Sequence, residues 1–183
     1  FDDSKKIEKI VPVIRNDAHR LIEECMLAAN IAVATFITNQ GVPSLYRIHE
    51  QPDIEKMKGL QTFLGEFGIQ CRWQGKLQPK KFQETLDQVR ERPEKAVLET
   101  IMLRSLKQAQ YAVDNVGHFG LAYPVYTHFT SPIRRYPDLI VHRVLGAIID
   151  HESDISEKFN VEHLNQLAQT CSMTERRADE ATR

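Results

Sequence analysis

Three cysteines in 183 residues (Cys25, Cys71 and Cys171) are too few and too scattered for a disulfide framework, and no two stand at metal-ligand spacing. They read as reduced thiols of a cytosolic protein, with Cys25 a core residue of an apolar helical stretch. The chain also lacks an excess of basic charge. Against 24 Lys and Arg stand 25 Asp and Glu, giving a net charge of −1 and a pI of about 6.7. A surface for nucleic acid must therefore be local, with acidic residues compensating elsewhere. Neither a transmembrane run nor a signal peptide is expected, and there is no internal repeat or low-complexity tract.

What is present is ordinary for a soluble globular domain, or a large piece of one: 42% hydrophobic and 27% charged residues. The chain opens Phe1-Asp2-Asp3 without Met and closes Glu180-Ala181-Thr182-Arg183 in mid-helix composition, so it is expected to belong to a larger protein.

Ile- and Val-rich alternation predicts a strand over Lys6 to Ile14, interrupted by Pro12. Asn16 then offers an N-cap to a helix running to about Ile37. Leu21, Cys25, Ala28, Ala32 and Phe36, widened by Ile22, Met26 and Ala29, are its expected core face, packed closely against another element. A short strand over Leu45 to His49 follows, then helices from Pro52-Asp53 to about Gly65, Pro79 to Arg90, and Pro93 to Ala112. The core candidates in the last are Val97, Ile101, Leu106 and Ala109. After a turn at Asp114 to Gly117, His118 to Phe129 reads as two short strands, or one bent at Pro124. Ser131 is expected to cap a helix from Pro132 to about Asp150, and Val161 to the end is helical. The fold class is α+β, mostly α-helical with a minor β component.

The stretch His128-Phe129-Thr130-Ser131-Pro132-Ile133-Arg134-Arg135-Tyr136-Pro137-Asp138-Leu139-Ile140-Val141-His142-Arg143 carries the most chemistry. Ser before Pro is a strong helix start, and a helix N-terminus offers free N–H groups and positive dipole character. Two arginines in its first turn would complete an anion site, and a guanidinium fork suits two oxygens of a phosphodiester. Arg134, Asp138 and His142, at i, i+4 and i+8, would line one face. The plain alternative is a capped surface helix whose Arg134–Asp138 pair is merely solvated. Physics alone leaves both open.

This stretch resembles the signature of the ribonuclease II and ribonuclease R family, whose catalytic domain is called RNB. Three further segments share the resemblance. Glu23-Glu24-Cys25-Met26-Leu27-Ala28-Ala29-Asn30 looks like a family helix, and Gly117-His118-Phe119-Gly120-Leu121 precedes the signature as in the family. The third, Cys171-Ser172-Met173-Thr174-Glu175-Arg176-Arg177-Ala178-Asp179-Glu180-Ala181, is similar to the ribonuclease R branch.

The resemblance implies an RNB domain of which residues 1–183 are the C-terminal half, in a cytoplasmic enzyme not bound to membrane. Its partner would be RNA, as single-stranded 3′ ends and structured RNA. The implied activity is processive 3′→5′ hydrolysis to nucleoside 5′-monophosphates. Arg134 would be the catalytic residue, stabilising charge on the scissile phosphate, and Arg135 a backbone-phosphate contact. Glu24 would meet the 3′-terminal ribose, a contact able to distinguish RNA from DNA. Glu23, about 100° round the helix, would face solvent. Asn30, His128, Thr130 and Ser131 are further candidates for RNA binding or its surroundings. Tyr136 and His142 are packing candidates, and Arg176 and Arg177 lie on a solvated face or an RNA path. Magnesium is the implied cofactor, held by closely spaced aspartates. Asp2-Asp3 is the one adjacent aspartate pair here and does not match that cluster. The cluster and the flanking RNA-binding modules are expected upstream of Phe1 and beyond the chain. A non-catalytic RNA-binding or interaction module that keeps the RNB helices is the alternative.

Overall fold

The structure, a computed structural model, describes residues 4–7, 9, 14–71, 73, 75 and 77–182. Most of the strand expected over 6–14 lies outside the described residues.

Helix α1 (Asp17–Gln40) starts where the sequence says it should. The Asn16 side chain accepts the His19 backbone N–H at 3.1 Å, and the His19 ring accepts from the Asn16 N–H in return, a reciprocal capping box. It ends at Gly41, whose left-handed φ of 67° costs a glycine little. The face it buries is not the expected one. Asn30, Ala34 and Ile37 face inward, whereas Leu21, Ile22, Cys25, Ala28, Ala32 and Phe36 are exposed, Leu21 at 65%. Apolar periodicity marks an apolar face, but what covers that face is not written in it. By length and composition α1 would also suffice to cross a membrane, against the expectation of no such run. Its buried Asn30, bonded to Tyr126 and Phe129 of a distant segment, makes it a helix of the folded domain.

Strand β1 (Tyr46–Ile48) pairs antiparallel with β2 (Gln110–Ala112), Arg47 opposite Tyr111. Between them lie α2 (Ile54–Glu66), α3 (Pro79–Val89) and α4 (Lys95–Ser105). The helix expected through Ala112 thus stops at Ser105, because 110–112 is drawn into a non-local strand pair. Leu98 and Met102 are its core residues, and Val97 is 59% exposed. The strands expected over His118 to Phe129 do not form. That segment runs along the free edge of β1 through isolated bonds, Arg47 N–H to Tyr126 O and His49 N–H to Gly117 O. It contains a 3-10 turn at Phe119–Leu121. A Cβ at Gly120 would lie 2.7 Å from the His49 ring, so this close approach requires glycine.

Helix α5 (Tyr136–Ile149), the short α6 (Ile155–Lys158) and α7 (Val161–Ala181) complete the chain. One core joins Ile140, Val141, Val144 and Ile148 of α5 to Ile37, Leu45, Tyr111, Leu164 and Ala168. A second joins Leu60 and Leu64 of α2 to Phe82, Leu98, Met102 and Phe119. The mostly helical α+β class stands. Between the two cores, β1 and the segment beside it carry the signature stretch to the start of α5.

Candidate functional site

The helix expected from Pro132 begins four residues later, at Tyr136, with Arg135 as its extended N-cap. Pro137 explains the shift. In a helix starting at Pro132 its ring would meet the carbonyl of Ile133 in the interior. In α5 it falls in the first turn, where its missing N–H costs nothing. Residues 131–135 instead form a turn in which the N–H groups of Arg134 and Arg135 donate to Ser131 O at 3.2 and 3.0 Å. The two arginines therefore precede the helix, and Arg134, Asp138 and His142 do not share a helical face.

Asp138 is fully buried, and its Oδ2 accepts the Ser131 backbone N–H at 2.7 Å and Arg135 Nη2 at 2.8 Å. The acid expected beside Arg134 thus pairs with Arg135, whose side chain is 19% exposed. Arg135, the expected backbone-phosphate contact, is thus already engaged by a carboxylate. Arg134 is exposed, and among the described residues no hydrogen bond or ion pair holds its guanidinium. It is the available cation of the turn. Around it, Thr130 Oγ1, Arg135 Nε and Asp138 Oδ1 are buried without a partner.

Upstream, the stretch is fixed from several sides. Asn30 Nδ2 donates to the Tyr126 hydroxyl at 2.9 Å, and Asn30 Oδ1 accepts the Phe129 N–H at 3.0 Å. At 2% exposure and with both ends of its amide engaged, Asn30 is a bracket inside the fold. The His142 ring stacks on Phe129 at 4.1 Å, in keeping with a packing role, and its Nε2 contacts Phe129 O at 2.9 Å. His128 Nδ1 shares a hydrogen bond of 2.8 Å with the Tyr111 hydroxyl. Burial first, then the charges of Arg135 and Arg47, push the His128 pKa down to about 3. This half-buried imidazole is therefore neutral near pH 7 in the chain without RNA. Burial raises Tyr111 to about 12. Ser131 contributes its backbone N–H to Asp138, and Thr130 keeps a buried hydroxyl.

Arg47 and Tyr111 belong to this neighbourhood and carried no motif. The Arg47 guanidinium lies 4.7 Å from the Tyr111 ring centre and forms a two-pronged pair with Glu175 at 2.6 and 3.1 Å. The Glu175-Arg176-Arg177 cluster is therefore not a wholly solvated face. Arg176 and Arg177 line an open groove of about 700 Å³ between β2 and α7. Glu24 is exposed on α1, about 9 Å along the axis from Asn30. Glu23 is held by Arg15, with Nε to Oε1 at 3.0 Å. Among the described residues no group of three or more His, Cys, Asp or Glu is placed to hold a metal ion. These residues do not fit a magnesium centre, and Asp2 and Asp3 lie outside the described residues.

The described residues thus form a mostly helical α+β unit that presents the exposed Arg134 on a turn braced by Asp138. The chain belongs to the RNB domain family, whose profile matches residues 1–151. It is 45% identical to ribonuclease R of Vibrio cholerae serotype O1 over all of this chain, spanning 23% of that protein's length. Among solved structures it is similar to Mycoplasma genitalium RNase R in complex with double-stranded RNA. There the TM-score is 0.81 and the identity 31%, over 89% of this chain and 30% of that one. It is also similar to yeast Ssd1, described as a pseudonuclease, with TM-score 0.72 and 27% identity over 86% of this chain and 20% of that one.

Proposed function

We propose that this chain is part of a cytoplasmic 3′→5′ exoribonuclease that hydrolyses RNA processively to nucleoside 5′-monophosphates, with Arg134 stabilising charge at the scissile phosphate. The observation that carries the reading is Arg134 itself, a guanidinium unpaired among the described residues, on a braced turn within the family's signature. RNA as the partner is supported by the relative solved with RNA bound. Glu24 is assigned to the terminal ribose on the resemblance and on its exposure. Magnesium, implied by the resemblance, would supply water activation, and no step is assigned to it through the described residues.

A pseudonuclease shares this fold, so fold does not decide between enzyme and binding module. The deciding experiment follows mononucleotide release from uniformly labelled RNA by the complete protein. An Arg134→Ala variant is expected to lose about 10²–10³-fold in turnover. Affinity should barely change, because binding is spread over many phosphates. Binding of RNA with no release by the unaltered protein would replace the enzyme with the non-catalytic module.

A further inference from the structure

We propose that Asp138, acting with Arg135, is a positioning residue that aims Arg134; this rests on the role given to Arg134 above. The tip of the turn has no packing of its own. Ile133 is fully exposed and Arg134 is exposed, so side-chain burial does not restrain them. Two bonds to Ser131 O hold the backbone, and the Asp138 carboxylate holds both feet of the turn, Ser131 and Arg135.

The geometry of the pair favours this role over plain stabilisation. An Arg–carboxylate pair built for strength uses two parallel bonds. Here Asp138 uses Oδ2 for both Ser131 and Arg135, while Oδ1 and Arg135 Nε have no partner among the described residues. The carboxylate is thus committed to the backbone of the turn. Its negative charge also offsets that of Arg135, which leaves Arg134 as the cation of the tip. Position and charge of the tip therefore both depend on Asp138.

The roles separate in a double-mutant cycle in the complete protein, reading single-turnover rate, RNA affinity and thermal unfolding together. Asp138→Asn keeps the shape and an acceptor for Ser131 but removes the charge that pairs with Arg135. It is expected to lower the rate by about 10²-fold, the scale of a small misplacement of a catalytic group. RNA affinity should stay equal or tighten, since the charge of Arg135 is no longer offset. With Arg134→Ala already present, Asp138→Asn should cost nothing further in rate. An equal loss in both backgrounds, an unchanged rate in the single variant, or affinity falling in step with rate would each overturn the proposal. If Asp138→Asn does not fold, Arg135→Met breaks the same pair from its more exposed side and is read by the same cycle. A complete protein that releases no mononucleotides at all would sink the exoribonuclease reading. Independent losses in an active enzyme would sink the positioning role alone.

Discussion

Asn30 of α1 donates to the hydroxyl of Tyr126 at 2.9 Å, in a buried contact between segments 96 residues apart. The same amide accepts the Phe129 N–H, so one side chain fixes α1 against the approach to the arginine turn. Replacing Asn30 by Ala leaves a buried hydroxyl and a backbone N–H unpaired. The expected loss is about 2–6 kcal/mol of stability, at about 1–3 kcal/mol for each buried group left unpaired. Tyr126→Phe removes one of the two bonds and should cost about 1 kcal/mol. Urea unfolding of both variants checks this. A weaker grip on RNA at unchanged stability would return Asn30 to the RNA channel.

The pair between Arg47 and Glu175 closes β1 onto α7. Arg47 is 13% and Glu175 37% exposed, so water screens part of the attraction. Glu175→Gln should therefore cost about 1 kcal/mol, and Arg47→Ala more, because it also removes the guanidinium from the Tyr111 ring. Urea midpoints at low and high salt test the assignment. The loss in Glu175→Gln should shrink only partly with salt; complete loss of the difference would mark an ordinary surface pair.

Two half-buried histidines predict how stability responds to acid. Burial, foremost, pushes His128 down to about 3 and His118 down to about 4, from an ordinary 6.5. Between those values and 6.5 the unfolded chain binds more protons than the folded one, so stability rises with pH across that window. The contribution is complete above about 6.5 and is lost as pH falls towards 4. His128→Gln should unfold more easily at neutral pH yet show a flatter decline between pH 6.5 and 4. A parallel decline in variant and parent would mean that His128 titrates normally in the fold.

Local chemistry in this sequence was legible and non-local chemistry was not. Asn16 and His19 announce the start of α1 by their spacing, and the structure uses both. Pro137 announces the start of α5 just as clearly, but Ser131-Pro132 is a second helix signal five residues earlier, and the later proline overrules it. Once the helix begins at Tyr136, Asp138 lies three residues from Arg135 and pairs with it instead of Arg134. Nothing local marks Gln110–Ala112 as a strand, since its partner lies at Tyr46–Ile48. Nor does any motif mark Arg47, which gains its place from Tyr111 and Glu175.

The surroundings of Glu23 and Glu24 make sugar selectivity the sharpest test of the α1 assignment. Adjacent helical residues point about 100° apart, and here the two carboxylates also differ in engagement. Arg15 binds Glu23 through both of its oxygens and lowers its pKa, whereas Glu24 is exposed without a hydrogen bond to another described residue. Glu24 is therefore the one free to accept from a ribose hydroxyl. Glu24→Ala in the complete protein should narrow the preference for a ribose over a 2′-deoxyribose 3′ end. A bond to a charged acceptor is typically worth about 1.5–3 kcal/mol, or roughly 10- to 10²-fold in the ratio of rates. Glu23→Ala should leave that ratio unchanged, its effect confined to loosening Arg15. Rates on matched oligonucleotides ending in either sugar decide the matter. Collapse of the ratio in Glu23→Ala but not in Glu24→Ala would reverse the register. An unchanged ratio in both would move sugar recognition off α1 altogether.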